Sequence, residues 1–334
     1  MKITQDIGIR ICGTGSSVPE RKISNDDMAT IVETNDEWIR TRTGIGTRHI
    51  SDGEPTWYMG AEAAKRAIAA AGIDPLEIGL LIDTTITPEY CTPSMSCIIQ
   101  RETGAANAAC SGFVYAMDTA HRFLKTDSSM RYALVVANES LSKITNYSDR
   151  SSCILFGDGA AAAVIEYKED ALYTSHLGAD GTGAKFLYAH SALPQSPFVK
   201  PERQAEYDDG IGAGPEGWEH TMLQDGREVY KFATHALAKA ATMAAEKIGF
   251  DLNELDKIVP HQANIRIIET AMKFLKQPME KVITNIEYHG NTSSASIPIA
   301  FDEAIRAGKI QRGDKVCLVG FGAGLTYAAL IMEY

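Results

Sequence analysis

Apolar residues recur along the chain at two different spacings, and the two spacings alternate. Apolar positions three and four residues apart are typical of amphipathic helices, and short apolar runs between turn residues are typical of buried strands. The spacing predicts helices over 25–33, 57–71, 94–102, 111–125, 228–248, 264–275 and 295–307. It predicts strands over 7–12, 78–84, 131–137, 154–166, 256–260, 281–285, 315–319 and 325–333. This alternation indicates an α/β protein with mostly parallel sheets, covered by helices on both faces.

The pattern of the first half returns in the second half. Three pairs of segments match in order: 72–82 with 249–259, the helix around Asp118 with the helix around Asp302, and 156–167 with 321–334. Ordered matches of this kind indicate two similar α/β lobes. The alternative is that the helix–glycine–strand sequence pattern, which is common in α/β proteins, recurs here by chance.

A stretch without either spacing lies between the two halves. Residues 181–227 are rich in glycine and proline and show no apolar periodicity. A stretch of this length is more often a functional lid than a plain connection. The sequence therefore predicts an N-terminal lobe (1–180), a connecting lid (181–227) and a C-terminal lobe (228–334).

Composition and charge narrow the class of protein. The 334 residues are 45% apolar and 22% charged, as in ordinary soluble globular proteins. A net charge of −11 without a basic block argues against nucleic-acid binding. No signal-peptide pattern and no apolar run of about 18 residues is present, so we expect neither export nor a membrane span. Six cysteines without metal-binding spacing favour a reducing cytoplasm and argue against structural zinc.

One cysteine lies where a helix is predicted to begin. Cys110 precedes a helical apolar pattern that starts at Phe113. The free N–H groups and the positive dipole end of a helix favour a thiolate, which is a nucleophile. Because many cysteines are only small buried apolar residues, this position alone does not establish a catalytic role.

The second lobe supplies two further candidates. His261 follows the predicted strand that ends near Val259, at the strand end where open α/β sheets bind ligands. Asn291 precedes the predicted helix that matches the one after Cys110, so a two-fold relation would bring Asn291 and Cys110 towards one centre. The plainer interpretations are a surface loop histidine and a helix-capping asparagine.

Two glycine-rich segments do not qualify as dinucleotide sites. Gly13–Pro19 lacks the third glycine and a following helix, and Gly320–Gly324 is followed by what reads as a final strand. The second segment is better suited to letting backbone approach a reacting group closely.

Taken together, these motifs resemble the β-ketoacyl-acyl-carrier-protein synthase III family of the thiolase superfamily. The resemblance runs in order over nearly the whole chain. It rests on 36–39 with 42–45, 109–113, 156–160, 261–264, 289–292 and 320–324. It implies a thiolase-like fold, in which two pseudo-symmetric α/β lobes pack in α-β-α-β-α layers. It also implies decarboxylative condensation of an acyl-CoA primer with malonyl-acyl-carrier protein, which initiates fatty acid synthesis without a cofactor or a metal.

The resemblance assigns roles to individual residues. Cys110 would carry the acyl group, and His261 and Asn291 would donate hydrogen bonds to the developing enolate. The remaining residues would complete the site in four groups: Phe321 and Ala323 in gating and the oxyanion hole; Trp38, Arg42, Arg150 and Asn264 in CoA binding; Lys231, Arg266 and Lys273 in carrier-protein binding; and Thr92 in the acyl pocket of a homodimer. A solvated helix face is an equally good interpretation of Lys273. The small Thr92 would leave room for a short branched primer as well as for acetyl-CoA.

The sequence departs from the family pattern in two places. The strand that the family has before the cysteine is missing, and the segment there is about seven residues shorter than its second-lobe counterpart. Either the sequence omits a segment or a local rearrangement replaces a central strand, and we favour the omission. Residues 181–227 are also longer than the family pattern, which puts primer and CoA contacts there in doubt.

Three other functions compete with the condensing enzyme. A degradative thiolase is rejected because the C-terminal glycine turn has no second cysteine. A related acyltransferase, or a starter-unit enzyme of secondary metabolism, stays open. A catalytically inert acyl-CoA or carrier-protein binder is the alternative from another class, and the retained Cys110, His261 and Asn291 argue against it.

Overall fold

The alternating pattern folds into two mixed sheets with helices between and outside them. The computed structural model describes residues 8–90, 93–104, 108–110, 112–189 and 221–334, and for 108–110 it describes the backbone. The helices are α1 (Asn25–Ala29), α2 (Asp36–Thr43), α3 (Thr56–Ala71), α4 (Met95–Thr103), α5 (Phe113–Thr126), α6 (Arg150–Cys153), α7 (Gly226–Glu246), α8 (Ile265–Leu275), α9 (Ile286–His289) and α10 (Ser296–Arg306). The strands are β1 (Gly8–Ser17), β2 (Lys22–Ser24), β3 (Thr47–His49), β4 (Ile78–Thr84), β5 (Ala108–Cys110), β6 (Tyr132–Ser140), β7 (Asp158–Lys168), β8 (Tyr173–Ala179), β9 (Leu187–Ala189), β10 (Met222–Gln224), β11 (Lys257–Pro260), β12 (Lys315–Gly322) and β13 (Thr326–Glu333).

The two sheets share one strand arrangement, which confirms the predicted duplication. The N-terminal sheet has the order β1-β7-β6-β4-β5, and the C-terminal sheet has the order β8-β13-β12-β11. A parallel bridge between Val282 and Ile258 of β11 occupies the place that β5 has beside β4. That bridge is all that forms where a strand over 281–285 was expected, because the chain turns into α9 within a few residues.

The expectation of mostly parallel sheets was wrong. β4 runs parallel to β5 and β6, and β11 runs parallel to β12. The pairs β1–β7, β6–β7, β12–β13 and β13–β8 are antiparallel. Parallel neighbours need a long crossover, usually a helix. Only three residues join β12 to β13, and only short helical turns lie between β6 and β7, so these strands return antiparallel.

Apolar residues alternate between the two faces of each strand and build five layers. In β6, Val135 packs towards the centre of the molecule and Leu134 packs towards α3. The central core combines inner faces of both sheets with α5 and α10. The outer cores place α3 and α4 on the N-terminal sheet, and α7 and α8 on the C-terminal sheet. This is the expected α-β-α-β-α succession of a thiolase-like fold.

The two central helices carry matching buried aspartates. Asp118 of α5 accepts hydrogen bonds from Arg122 on its own helix and from Tyr173 and Ser175 of β8. Asp302 of α10 accepts from Arg306 on its own helix and from Thr14 and Ser16 of β1. Each central helix is therefore hydrogen-bonded to the outermost strand of the other lobe's sheet.

Glycines in β1 explain why a Gly-x-Gly segment occurs there without a dinucleotide site. A Cβ on Gly15 would lie 2.6 Å from the backbone of α3, and Gly13 is equally crowded. The glycines thus let α3 pack directly on the strand. β1 also extends five residues beyond the predicted end at residue 12.

The strand before Cys110 is present, in contrast to the expected loss of a central strand. Ala108–Cys110 forms β5 and pairs in parallel with Leu81–Asp83 of β4. β5 takes the last position in its sheet, so it is terminal and not central. The residues immediately before Cys110 thus form this strand, although the segment is about seven residues shorter than its second-lobe counterpart.

Candidate active site

A cavity of about 1220 Å³ lies between the two lobes. The start of α5, the ends of β4 and β6, the loop after β11 and the β12–β13 connection all contribute to its wall. The lining includes Gly112 at the start of α5 and seven of the predicted site residues: Trp38, Arg42, His261, Asn264, Asn291, Phe321 and Ala323. The cavity therefore brings together most of the candidates from both lobes.

His261 is held at the end of β11 by its backbone and by one side-chain contact. Its N–H donates to the carbonyl of Val319 in β12 at 2.8 Å. Its Nδ1 lies 2.6 Å from Oγ of Ser296, the first residue of α10. Burial lowers the pKa of His261 to about 4, so the ring is neutral near pH 7.

The residue after His261 fixes the loop that carries it. The side chain of Gln262 is fully buried and donates to the carbonyls of Pro260 and Ile283, while it accepts from the N–H of Asn285. A buried amide with its donors and acceptor satisfied resists displacement. The direction of the His261 ring is therefore set by a rigid loop.

Asn291 is fixed in both backbone and side chain. Its N–H donates to Leu155, and its carbonyl accepts from Gly157, so the turn is attached to the N-terminal lobe. Its Oδ1 accepts from the N–H of Ser293 at 2.8 Å. Because the oxygen is engaged, the NH₂ group remains as the donor that this side chain can offer to a ligand.

A glycine permits this attachment of Asn291 to the N-terminal lobe. A side chain on Gly157 would clash with the carbonyl of His289. The turn that carries Asn291 therefore packs directly against the backbone of the 156–160 motif.

Phe321 and Ala323 lie at the end of β12 and just after it, beside the strand that leads to His261. The Phe321 ring packs edge-on against the His261 ring, with 5.2 Å between centroids. Ala323 lies in the short connection between β12 and β13, where its carbonyl accepts from the hydroxyl of Thr326. Both residues line the cavity.

Cys110 is the last residue of β5, and its backbone pairs with Asp83 of β4. Its side chain lies outside the described part of the structure. Thr84, which follows Asp83, and Gly112, which caps α5, both line the cavity. Cys110 therefore lies at a strand end, three residues before Phe113, the first helical residue.

Three of the four predicted CoA-binding residues form one cluster at the edge of the cavity. The guanidinium carbons of Arg42 and Arg150 lie 4.3 and 4.8 Å from the centroid of the Trp38 ring. Asn264 caps α8 through the N–H of Arg266. The structure thus brings together Trp38, Arg42 and Arg150, although Arg150 does not itself line the cavity.

The three predicted carrier-binding residues lie on the outer faces of α7 and α8. Hydroxyls of Tyr230 and Thr270, 2.8 Å apart, join these helices. Lys231 follows Tyr230, and Arg266 and Lys273 lie one turn before and after Thr270, all of them exposed. They therefore share one surface, outside the cavity lining.

Two predictions fall outside the described residues. Thr92 is one of them, and 190–220 of the predicted lid is the other. The rest of that lid includes β9 and β10, which pair with each other and line the cavity, and α7 begins at Gly226, close to the predicted boundary.

Glu139, a buried carboxylate in the cavity wall, is a site residue that the sequence did not predict. Glu139 accepts hydrogen bonds from Ser294 at 2.7 Å, from the N–H of Ile86 at 3.0 Å and from Thr87 at 3.1 Å. Burial raises its pKa. It thereby links the segment after Asn291 to the loop after β4. An acidic residue at the end of the apolar strand β6 was the available signal.

Neither a metal-binding cluster nor a membrane-spanning helix is found among the described residues. Within those ranges, no three His, Cys, Asp or Glu side chains gather as a metal site would require. No helix in that part of the chain combines the length and apolar character needed to cross a bilayer.

Comparison with known proteins identifies the class first. A β-ketoacyl-[acyl carrier protein] synthase III from Thermus thermophilus superimposes with a TM-score of 0.86 at 37% identity, over 97% of this chain and 98% of that one. The priming β-ketosynthase of the R1128 polyketide pathway gives a TM-score of 0.84 at 33% identity, over 100% of this chain and 98% of that one. The fold is that of a thiolase-like condensing enzyme.

The family follows from sequence. The model for 3-oxoacyl-[acyl-carrier-protein] synthase III matches residues 106–181, and the model for the C-terminal part of the same enzymes matches residues 245–334. β-Ketoacyl-[acyl-carrier-protein] synthase III of Clostridium acetobutylicum is 43% identical over 334 residues, covering 98% of both chains. The chain belongs to the β-ketoacyl-acyl-carrier-protein synthase III family.

Proposed function

We propose that this enzyme condenses an acyl-CoA primer with malonyl-acyl-carrier protein through an acyl group held on Cys110. The observation that carries the proposal is the placement of His261 and Asn291 on one cavity wall, with the strand end of Cys110 beside the same cavity. Two neutral hydrogen-bond donors near a nucleophile suit the stabilisation of an enolate oxygen.

The first half-reaction transfers the primer. The Cys110 thiolate attacks the thioester carbonyl of acyl-CoA, and the CoA thiolate leaves with its electron pair and takes up a proton. Backbone N–H groups of Cys110 and Ala323 hold the tetrahedral oxyanion. The product is a new thioester on Cys110, so one difficult reaction becomes two easier ones.

The second half-reaction forms the carbon–carbon bond. The malonyl group loses CO₂, and the electrons of the broken bond pass into an enolate whose oxygen is bound by His261 and Asn291. Its α-carbon attacks acyl-Cys110 and releases the thiolate. Phe321, which packs on His261, excludes water and favours loss of the carboxylate.

The neutral state of His261 fits the donor role. A pKa near 4 leaves one ring proton at neutral pH, and the ring needs that proton on the nitrogen facing the cavity. A neutral donor avoids a buried cation when the malonyl carboxylate has departed as CO₂.

Two clusters of side chains support the choice of substrates. Trp38, Arg42 and Arg150 combine an aromatic face with two cations, which suits an adenine ring and phosphates. Lys231, Arg266 and Lys273 form a local basic surface for an acidic carrier protein despite the net charge of −11. We further propose a cytoplasmic homodimer in which Thr92 completes the partner's acyl pocket and which accepts acetyl or short branched primers without a cofactor.

Intact-protein mass spectrometry tests the proposal directly. The enzyme is mixed with acetyl-CoA or isobutyryl-CoA, and malonyl-acyl-carrier protein is then added. We expect an acyl adduct that is absent in Cys110→Ala and that disappears as β-ketoacyl-carrier protein forms. Acylation that malonyl carrier never discharges would support an acyltransferase, and absence of acylation would support an inert binder.

A starter-unit role in secondary metabolism is the second candidate. The similarity to the R1128 priming ketosynthase, at 33% identity over the whole chain, favours it. Carrier choice separates the two functions: a fatty acid enzyme discharges onto the malonyl carrier of lipid synthesis, and a starter-unit enzyme prefers the carrier of its own pathway.

A further inference from the structure

We infer that Ser296 is a positioning residue that fixes the tautomer of His261. The inference rests on the proposed function, in which His261 donates a hydrogen bond from Nε2. Ser296 begins α10 and is 2% exposed. Its Oγ lies 2.6 Å from Nδ1 of His261 and 3.2 Å from the backbone nitrogen of Gln262.

The donors and acceptors around Oγ determine where the imidazole proton lies. The N–H of Gln262 can only donate, so Oγ accepts this bond. The hydroxyl proton then points to the other polar neighbour, Nδ1, which must accept it. If Nδ1 carried the ring proton, both neighbours would donate to Oγ, and the hydroxyl proton would be buried without a partner in the described part of the chain.

The other ring nitrogen faces the cavity. Nε2 makes no hydrogen bond within the described residues, and His261 lines the cavity wall. The Phe321 ring packs edge-on against the imidazole and limits its rotation. Ser296 therefore places the single proton of a neutral ring on the nitrogen that reaches the substrate.

A positioning role for Ser296 predicts different effects on the rates of the two half-reactions. Acylation of Cys110 does not use His261, whereas decarboxylation needs its Nε2–H. Loss of the Ser296 hydroxyl should therefore slow only the second half-reaction. A purely structural role would lower both half-reactions together.

The experiment combines ring-¹⁵N NMR of the histidines with single-turnover kinetics. The His261 resonances are assigned by their absence in His261→Ala. In the wild type we expect a protonated Nε2 and an unprotonated Nδ1. In Ser296→Ala we expect a mixture of tautomers, acylation within about twofold of wild type, and discharge by malonyl carrier slowed about 10- to 100-fold. Ser296→Thr, which keeps the hydroxyl, should restore the tautomer and most of the discharge rate.

Ser96→Ala is the matched control, since Ser96 is 1% exposed and lies in α4 away from His261. A wild-type ring protonated on Nδ1 would overturn the inference without any variant, as would a Ser296→Ala protein with unchanged NMR and discharge. If the wild type acylates but never consumes malonyl carrier, the proposed function fails, while the NMR result still decides the role of Ser296.

Discussion

The two lobes share one strand order but reach their central helices by links of different length. In the C-terminal lobe, the chain runs from the bridge at Val282 through α9, the Asn291 turn and a short 3₁₀ turn before α10 begins at Ser296. In the N-terminal lobe, Cys110 ends β5, and Phe113 already begins α5. The long link places the side chain of Asn291 in the cavity wall, whereas the short link leaves Cys110 on the end of a strand. Under the proposed mechanism, the two copies of the duplicated scaffold contribute different groups to one reaction, and they differ in the connection that precedes the central helix.

The strongest test of the comparison removes the matched aspartates of the central helices. Asp302→Ala leaves the hydroxyls of Thr14 and Ser16 without their acceptor and removes the ion pair with Arg306. Asp118→Ala does the same to Tyr173, Ser175 and Arg122. We expect each variant to lose about 3–5 kcal/mol of unfolding free energy, measured by urea denaturation. The exposed Asp26→Ala is the control. A clearly smaller loss in one variant would show that the two contacts are not equivalent.

The division of chemistry between the lobes is tested next. Asn291→Ala should slow discharge of the acyl-enzyme by malonyl carrier about 100- to 1000-fold, because one donor to the enolate is lost. Acylation of Cys110 and the melting temperature should stay close to wild type. Equal losses in both half-reactions would contradict the assignment of Asn291 to the second step. Asn253→Ala, in an exposed turn of the same lobe, serves as the control.

A buried carboxyl group in the first lobe gives a smaller, pH-dependent effect. Asp83 is 1% exposed, and burial, with the nearby Glu139 second, raises its pKa well above the usual range. The unfolded chain releases this proton at a lower pH than the folded protein, so wild-type stability falls as pH rises from about 4 through the folded pKa. Asp83→Asn should therefore stabilise by about 1–3 kcal/mol at pH 8 and little at pH 4.

Thermal unfolding across pH measures this difference, with the exposed Asp26→Asn as the control. A stabilisation by Asp83→Asn that is the same at both pH values would show that the carboxyl proton is not involved. In the folded protein Asp83 accepts a hydrogen bond from the NH₂ of Asn138, whose Oδ1 has no partner among the described residues. An amide at 83 can bond both groups of Asn138.

The smallest expected effect comes from making one helix resemble the other. His121 follows Asp118 by three residues, and Ile305 stands at the same distance after Asp302. Burial lowers the pKa of His121 to about 4, and within the part of the chain that the structure describes neither ring nitrogen has a hydrogen-bond partner. The unfolded chain gains a proton below pH 6.5 and the folded protein only near 4, so stability falls as pH drops through that window.

His121→Ile should therefore stabilise by about 1 kcal/mol near pH 8 and by more near pH 5. Urea denaturation at the two pH values provides the measurement. His261, whose pKa moves in the same direction, remains in both proteins, so some acid dependence should persist. A variant whose advantage shrinks at pH 5 would contradict the sign of the effect.

Much of the fold followed from apolar spacing because burial itself imposes that spacing. The prediction of 78–84 matches β4, and the ordered repeats anticipated the two sheets. The direction of the strands could not be predicted in this way, since apolar spacing does not determine whether neighbouring strands run parallel or antiparallel. The helix predicted over 25–33 ends at Ala29, where local capping and not apolar periodicity sets its length.

Site residues could be predicted where their position at the end of a strand or the start of a helix itself indicates a functional role. His261 at a strand end and Asn291 before a helix could be found in this way. Ser296 and Glu139 could not, because a serine at a helix start and one acidic residue after a strand have many ordinary explanations. Their roles arise from contacts with residues far away in the chain, such as the link from Glu139 to Ser294.

The crossed aspartate contacts bear on how the chain is made. β1 is synthesised long before α10, yet the acceptor for the Thr14 and Ser16 hydroxyls lies on α10. When only the first half of the chain has left the ribosome, the Thr14 and Ser16 hydroxyls of β1 therefore have no acceptor on α10 yet. We expect the two lobes to fold as one cooperative unit after translation, so fragments cut between them should gain structure only when mixed.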